Sequence, residues 1–118
     1  MKQHVNLVSF SFRHGRPPAG ASVLDCRKMR NPHFVERLKP LDGRHEEVRE
    51  YVKTDPAFKP MLDDVVRRVI LARDGRSIPT IAFGCFGGKH RSVAMAELSA
   101  QALRNAGCDV EVKHSALS

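Results

Sequence analysis

One nine-residue stretch concentrates the chemistry of this chain: Gly84-Cys85-Phe86-Gly87-Gly88-Lys89-His90-Arg91-Ser92. Glycines placed between an apolar run and a helix start expose several main-chain N–H groups, and the helix dipole adds partial positive charge at the same place. Gly87 and Gly88 let a ligand approach the backbone with no Cβ in the way. Lys89, His90 and Arg91 add side-chain donors, Arg91 as a fork onto two oxygens and Lys89 as a point charge. Ser92 either caps the helix or donates to the same group. The chemistry implied is the capture of a phosphate-like anion. Three basic residues at a helix N-terminus point the same way, because positive charge there is unfavourable unless an anion offsets it. The plainer alternative is a glycine turn followed by a solvated basic helix end. A nucleotide-triphosphatase loop is excluded: Lys89 is followed by His90, where that motif needs a magnesium-binding Ser or Thr.

A second pattern overlaps the first. Cys85 and Arg91 are separated by five residues and Ser92 follows, the spacing of cysteine-dependent phosphatases. In that chemistry a thiolate attacks phosphorus, the loop amides and Arg91 hold the oxygens, and an acid, here Asp25, protonates the leaving group. The alternative is that Cys85 is a small buried hydrophobe and the loop a non-catalytic binder.

Elements must carry these residues. Residues 4–12 read as a strand, 13–20 as a turn-rich basic loop, and 22–27 as a short buried strand ending in Asp25-Cys26-Arg27. Breakers make 28–43 an irregular excursion that holds Asn31-Pro32-His33 and Asp42-Gly43. A short helix over 46–53 precedes a longer one capped at Asp55-Pro56 and running to Arg73, apolar at spacings of three and four and basic at Arg67, Arg68 and Arg73. Residues 78–83 form a continuous apolar strand that Gly84 breaks, a small-residue helix runs from Arg91 or Ser92 to about 105, and 108–112 make a last strand. Strand, glycine loop, helix and strand form a right-handed βαβ unit. The fold class expected is therefore α/β: one three-layer-type domain over residues 1–118 with a small, mostly parallel sheet.

Composition narrows the partners. The 118 residues hold 42% apolar and 28% charged side chains, ordinary for a globular domain, with no apolar run long enough to cross a bilayer and no secretion signal. Cytoplasm is the expected location. Cys26, Cys85 and Cys108 fit neither a disulfide framework nor paired metal-ligand motifs, and His14, His45 and His114 are scattered, so neither a metal nor a cofactor is expected. The net charge of +7 favours anionic partners, from a phosphorylated small molecule to RNA.

Five ordered segments carry a resemblance: Ser9-Phe10-Ser11-Phe12-Arg13-His14-Gly15, Leu24-Asp25-Cys26-Arg27, Asn31-Pro32-His33, Leu41-Asp42-Gly43 and the Gly84 to Ser92 loop. Together they resemble the carboxyl-terminal domain of the RapZ (YvcJ) family of RNase adapter proteins over most of the chain. The resemblance implies a domain that binds glucosamine 6-phosphate and contributes to RNA and protein-partner binding, and it makes the Cys-x5-Arg spacing a feature of the anion loop. It places Arg27, His33, Gly87 and Arg91 at the phosphosugar, with Gly88, Lys89, His90 and Ser92 completing the loop. The Walker loop of the family's amino-terminal domain has no counterpart here. Phe86 stands where the adapter has Thr, which implies a different ligand preference, and the adapter's basic tail is missing from the residues after Lys113.

On the residues alone, two assignments stay open. His33 is aimed at the loop by the Asn31-Pro32 turn or is a surface residue. Asp25 and Arg27 pair with each other or shape the pocket. The preferred expectation is a phosphate-ligand binding and sensing module; a phosphatase or phosphotransferase using Cys85, Asp25 and Arg91, or an RNA-binding module, are its rivals.

Overall fold

The two most apolar strand runs of the chain lie side by side at the centre of its sheet. In the computed structural model, which describes residues 2–73, 75 and 77–117, they are β1 (His4–Ser11) and β3 (Thr80–Cys85). β2 (Ser22–Asp25) flanks β3, β4 (Asp109–His114) flanks β1, and every pairing is parallel, in the order β2-β3-β1-β4. Parallel strands need long crossovers. A 3-10 turn (Pro32–Phe34), α1 (Glu46–Lys53) and α2 (Phe58–Leu71) connect β2 to β3, and α3 (Arg91–Asn105) carries the chain past β1 to β4.

All three helices share one core with one face of the sheet. Val48 and Val52 of α1, Val65 and Val69 of α2, and Met95, Leu98 and Leu103 of α3 join Val5, Leu7, Ile81, Phe83, Leu24 and Val110. α3 is the hub: it touches β1, β3 and β4 as well as α1 and α2. Its small residues Ala94, Ala96 and Ala100 are buried and allow that close packing. On the opposite sheet face the rings of Phe10 and Phe12 meet edge-on at 4.8 Å and close over Gly84. Pro18 lines a pocket together with Val8 and Thr80.

Several element boundaries differ from expectation, those of β3 and α2 among them. β3 does not stop before Gly84 but runs through it to Cys85, because Gly84 pairs with Phe10 and its missing side chain makes room for the two rings. α2 begins at Phe58, because the Asp55 carboxylate is committed to the N–H groups of Ala57 (2.9 Å) and Arg30 (2.6 Å). At its far end α2 stops at Leu71, two residues short of Arg73. Its apolar stripe is also wider than its buried face: Val65 and Val69 are covered, while Val66 and Ile70 are exposed.

Asp42-Gly43 is more than a turn. The Asp42 carboxylate accepts from the Arg44 N–H and guanidinium, which holds its carboxyl at about 2. The Gly43 N–H donates to the Lys89 carbonyl at 2.9 Å, and a Cβ on Gly43 would lie 2.6 Å from the His90 carbonyl oxygen and closer still to the Ala94 nitrogen. These are main-chain atoms at the start of α3 and cannot swing aside. Gly43→Ala is therefore expected to cost about 3 kcal/mol or to prevent folding. Gly87→Ala, where a Cβ meets nothing within 4 Å, should leave the urea midpoint within error; equal midpoints for the two variants would refute this packing account.

Candidate functional site

The site is the connection between β3 and α3, and it is held from several sides. Gly88 has φ +68°, a left-handed conformation that a side chain strains, and a Cβ there would come within 2.7 Å of Ser11 and Ala116. Ser11 donates its hydroxyl to the Phe86 carbonyl at 2.7 Å and accepts from the Arg13 and His14 N–H groups, which knots the loop to the end of β1. Lys89 is tied through its carbonyl to Gly43.

So constrained, the loop presents its donors outward. Among the described residues, no acceptor within the chain meets the N–H groups of residues 86–93. The N-cap residue, His90, makes no side-chain cap bond. Two side chains add to this set. His90 and Arg91 are each only 6% exposed, and His90 Nε2 and Arg91 Nε are buried without a partner. Burial pushes the His90 imidazole below its ordinary value and outweighs nearby carbonyls of residues 38–41, so the ring is neutral near pH 7.

A cleft of about 420 Å³ lies over this loop. Its floor is Cys85, Gly87, His90 and Arg91, its cationic side Arg13 and Lys89, and its far wall Asn31, His33 and Phe34 from the 3-10 turn, with Phe86 at the loop. The Asn31 carboxamide caps the turn by accepting the His33 N–H at 3.1 Å, and buried Pro32 anchors it. The His33 ring thereby stands 6.5 Å from that of His90.

The residues singled out from sequence divide on this geometry. His33, Gly87, Lys89, His90 and Arg91 meet at the cleft, with Gly88 and Ser92 inside the same turn. Arg27 does not line it: its guanidinium chelates both Asp25 oxygens at 2.7 to 3.1 Å and stacks 4.0 Å from the Phe12 ring centroid. Only the Arg27 main chain reaches the site, because Arg91 Nη1 donates to the carbonyls of Arg27 (2.8 Å) and Met29 (3.1 Å). Asp25 is likewise absent from the lining, and its Arg27 partner lowers its carboxyl below the usual range. Cys85 Sγ sits 3.1 Å from Ser92 Oγ, and burial pushes the neighbouring Cys26 thiol well up. Sequence reasoning had not placed Arg13, Asn31 or Phe34 here; Arg13 was legible only as part of a basic loop on a strand end.

One other polar constellation has a catalytic look. Ser9 Oγ lies 2.6 Å from His114 Nδ1, and His114 Nε2 lies 2.8 Å from Glu97. Ser9 is fully buried, so this chain ties β1, β4 and α3 together and offers no accessible nucleophile. Among the described residues no group of three or more His, Cys, Asp or Glu is placed to hold a metal ion, and no helix is long and apolar enough to cross a membrane.

The family model described as the RapZ C-terminal domain matches residues 3–118. The chain belongs to that family. Among its relatives, a nucleotide-binding protein of Thermobifida fusca is 46% identical over 92% of this chain, and one of Paramagnetospirillum magneticum is 44% identical over 96%. A third, from Cereibacter sphaeroides, is 41% identical over 96%. In each case the match spans 39% of the relative's own length, so the domain corresponds to a part of those proteins.

The neutral state of His90 has a measurable consequence. Its folded pKa lies below the unfolded value of about 6.5, so the unfolded chain takes up a proton first, and stability is lost as pH falls from about 6.5 toward the folded pKa. Denaturant midpoints for wild type should fall from pH 7.5 to 5.5 more steeply than for His90→Gln. Parallel profiles would show that His90 is not the group responsible.

Proposed function

We propose that this domain binds a small phosphorylated ligand in the cleft above the 86–91 loop and acts as a metabolite-sensing module in the cytoplasm, relaying occupancy to an RNA or protein partner. The carrying observation is the set of main-chain N–H groups over residues 86–93 that find no acceptor among the described residues, at a helix N-terminus flanked by Arg13 and Lys89. Donors held in place before the ligand arrives lose little entropy on binding, and the helix dipole favours a negative guest. Amino-sugar phosphates, which the family resemblance suggests, and nucleotides, which the relatives' names suggest, are the two classes to try first.

The roles of the two cationic loop side chains differ. Arg91 is a positioning residue whose Nη1 is spent on two carbonyls, leaving the rest of its guanidinium for the ligand. Lys89 is exposed, with one long contact of 3.4 Å to the Lys39 carbonyl, and is free to swing onto an anion. In a thermal-shift titration with glucosamine 6-phosphate, nucleotides and inorganic phosphate, a bound ligand raises the melting temperature by several degrees. Lys89→Ala should keep the unliganded melting temperature and weaken binding roughly tenfold. Arg91→Ala should lower the unliganded stability itself by about 2 kcal/mol. No shift with any small phosphate would sink the reading.

A second reading, phosphatase or phosphotransferase chemistry, is favoured by one observation: Cys85 lies in the cleft floor within 3.1 Å of the Ser92 hydroxyl. Against it, Arg27 lowers the Asp25 carboxyl below its usual range and Asp25 does not line the cleft, so the acid expected for the leaving group is not in place. Cys85→Ser is expected to leave phosphate binding unchanged within about twofold. Hydrolysis of an aryl phosphate by wild type, abolished in this variant, would instead establish catalysis.

A further inference from the structure

We propose that Cys26 and Cys85 form a redox pair: a hydroperoxide arriving through the cleft oxidises Cys85, and Cys26 then closes a reversible disulfide that ties the end of β2 to the floor of the anion loop. The disulfide stands by itself, and only its effect on ligand binding rests on the phosphate reading above.

The sheet register brings the two residues together. Asp25 pairs with Gly84 on the neighbouring parallel strand, and Cys26 and Cys85 occupy the next position beyond that pair, where the Cys26 N–H donates to the Gly84 carbonyl at 2.7 Å. Neighbouring strands lie about 4.8 Å apart, within the Cα separation of about 4.4–6.8 Å that a disulfide spans. Both side chains also lie on the helix-covered face: Leu24, Cys26, Phe83 and Cys85 all belong to the core, while Asp25 between the first two is exposed. In the reduced protein each sulfur has its own neighbour, Cys26 Sγ standing 3.7 Å from Met61 Sδ and Cys85 Sγ 3.1 Å from Ser92 Oγ. Rotation of both side chains about their Cα–Cβ bonds turns the sulfurs toward each other.

Access sets the order of events. Cys85 lines the cleft, whereas Cys26 is fully buried and is not part of its lining. Burial, and after it the Cys85 thiol alongside, push the Cys26 thiol well up, so Cys26 keeps its proton and leaves the first oxidation to Cys85. With hydrogen peroxide, the Cys85 sulfur attacks one peroxide oxygen: the S–O bond forms, the O–O bond breaks, and the departing hydroxide takes up the proton lost by the Cys85 thiol. The products are the Cys85 sulfenic acid and water. The Cys26 sulfur then attacks that of Cys85: the S–S bond forms, the S–O bond breaks, and hydroxide leaves with the Cys26 proton as a second water. The bridge draws Cys85 away from Ser92 in the first turn of α3, and its other end precedes Arg27, whose carbonyl accepts from Arg91. Both ends therefore adjoin the bonds that hold the cleft in shape. Cys108 lies beyond the far end of α3 and is the reference thiol.

Treatment of the folded protein with hydrogen peroxide, followed by thiol counting after denaturation, intact mass and peptide mapping, tests this. Of the three free cysteines, wild type should lose all but Cys108, with a mass lower by the two thiol hydrogens, a linked peptide pair carrying Cys26 and Cys85, and full recovery in dithiothreitol. Cys26→Ala should yield no linked pair and accumulate the Cys85 sulfenic acid, trapped by dimedone. Should that variant not fold, the wild-type peptide map decides alone. Oxidised wild type should bind inorganic phosphate roughly tenfold more weakly, the equivalent of one charge-assisted hydrogen bond, and regain its affinity on reduction. Unchanged thiols, oxygen added at Cys85 without a linked pair, or linkage through Cys108 would overturn the redox pair. A disulfide that forms and leaves phosphate affinity unchanged would overturn its control of the cleft. A protein that binds no phosphate in either state, yet forms the disulfide, would overturn the phosphate reading and leave the redox pair standing.

Discussion

The pair of hydrogen bonds from the Arg91 guanidinium to the carbonyls of Arg27 and Met29 is the constraint on which the site depends. Burying a side chain whose residue is only 6% exposed is costly unless its donors are met, and two carbonyls meet those of Nη1. Meeting them fixes the chain just after β2 against the first turn of α3. That clamp sets where the irregular segment starts, and so where Pro32, His33 and Phe34 can stand. The far wall of the cleft is positioned by the same residue that lies in its floor.

Two further ties complete the support. Ser11, at the end of β1, holds the loop through the Phe86 carbonyl, and Gly43, just before α1, holds it through the Lys89 carbonyl. A loop pinned by the ends of β1 and β2 and the start of α1 has little freedom to turn its N–H groups inward. Among the described residues, its eight main-chain N–H groups are left without acceptors in the chain. Structural and functional demands meet in α3, whose alanines allow close packing on the sheet and whose N-terminus is thereby carried into the cleft.

Much of this was legible from the amino acids. Apolar periodicity located every helix and strand, α1 to the residue, because a stripe at helical spacing or a continuous apolar run depends on local sequence alone. The loop was legible because glycines and three bases before a small-residue helix have few other uses. What failed depends on partners remote in sequence. Gly84 looked like a strand breaker, and only the Phe10 and Phe12 rings show why it continues one. Asp55 looked like a helix cap until Arg30 claimed its carboxylate. Arg27 was read beside Arg91 at the ligand, yet its guanidinium is drawn to Asp25 and Phe12, while Arg91 lines the cleft. Asp42-Gly43 gave no local sign that α3 would pass against it.

The strand order has a consequence for how the molecule comes into being. β1 occupies the middle of the sheet, and its two neighbours, β3 and β4, begin at Thr80 and Asp109. On a ribosome β1 must wait for β2, α1 and α2 to emerge before its first neighbour exists, and for α3 as well before its second. Until then Val5, Leu7, Val8 and Phe10 have no ladder to join and no helix to cover them. With such long-range pairing the sheet closes late and as a unit, so the nascent domain passes through a stage in which its most apolar strand is available to chaperones or to other nascent chains.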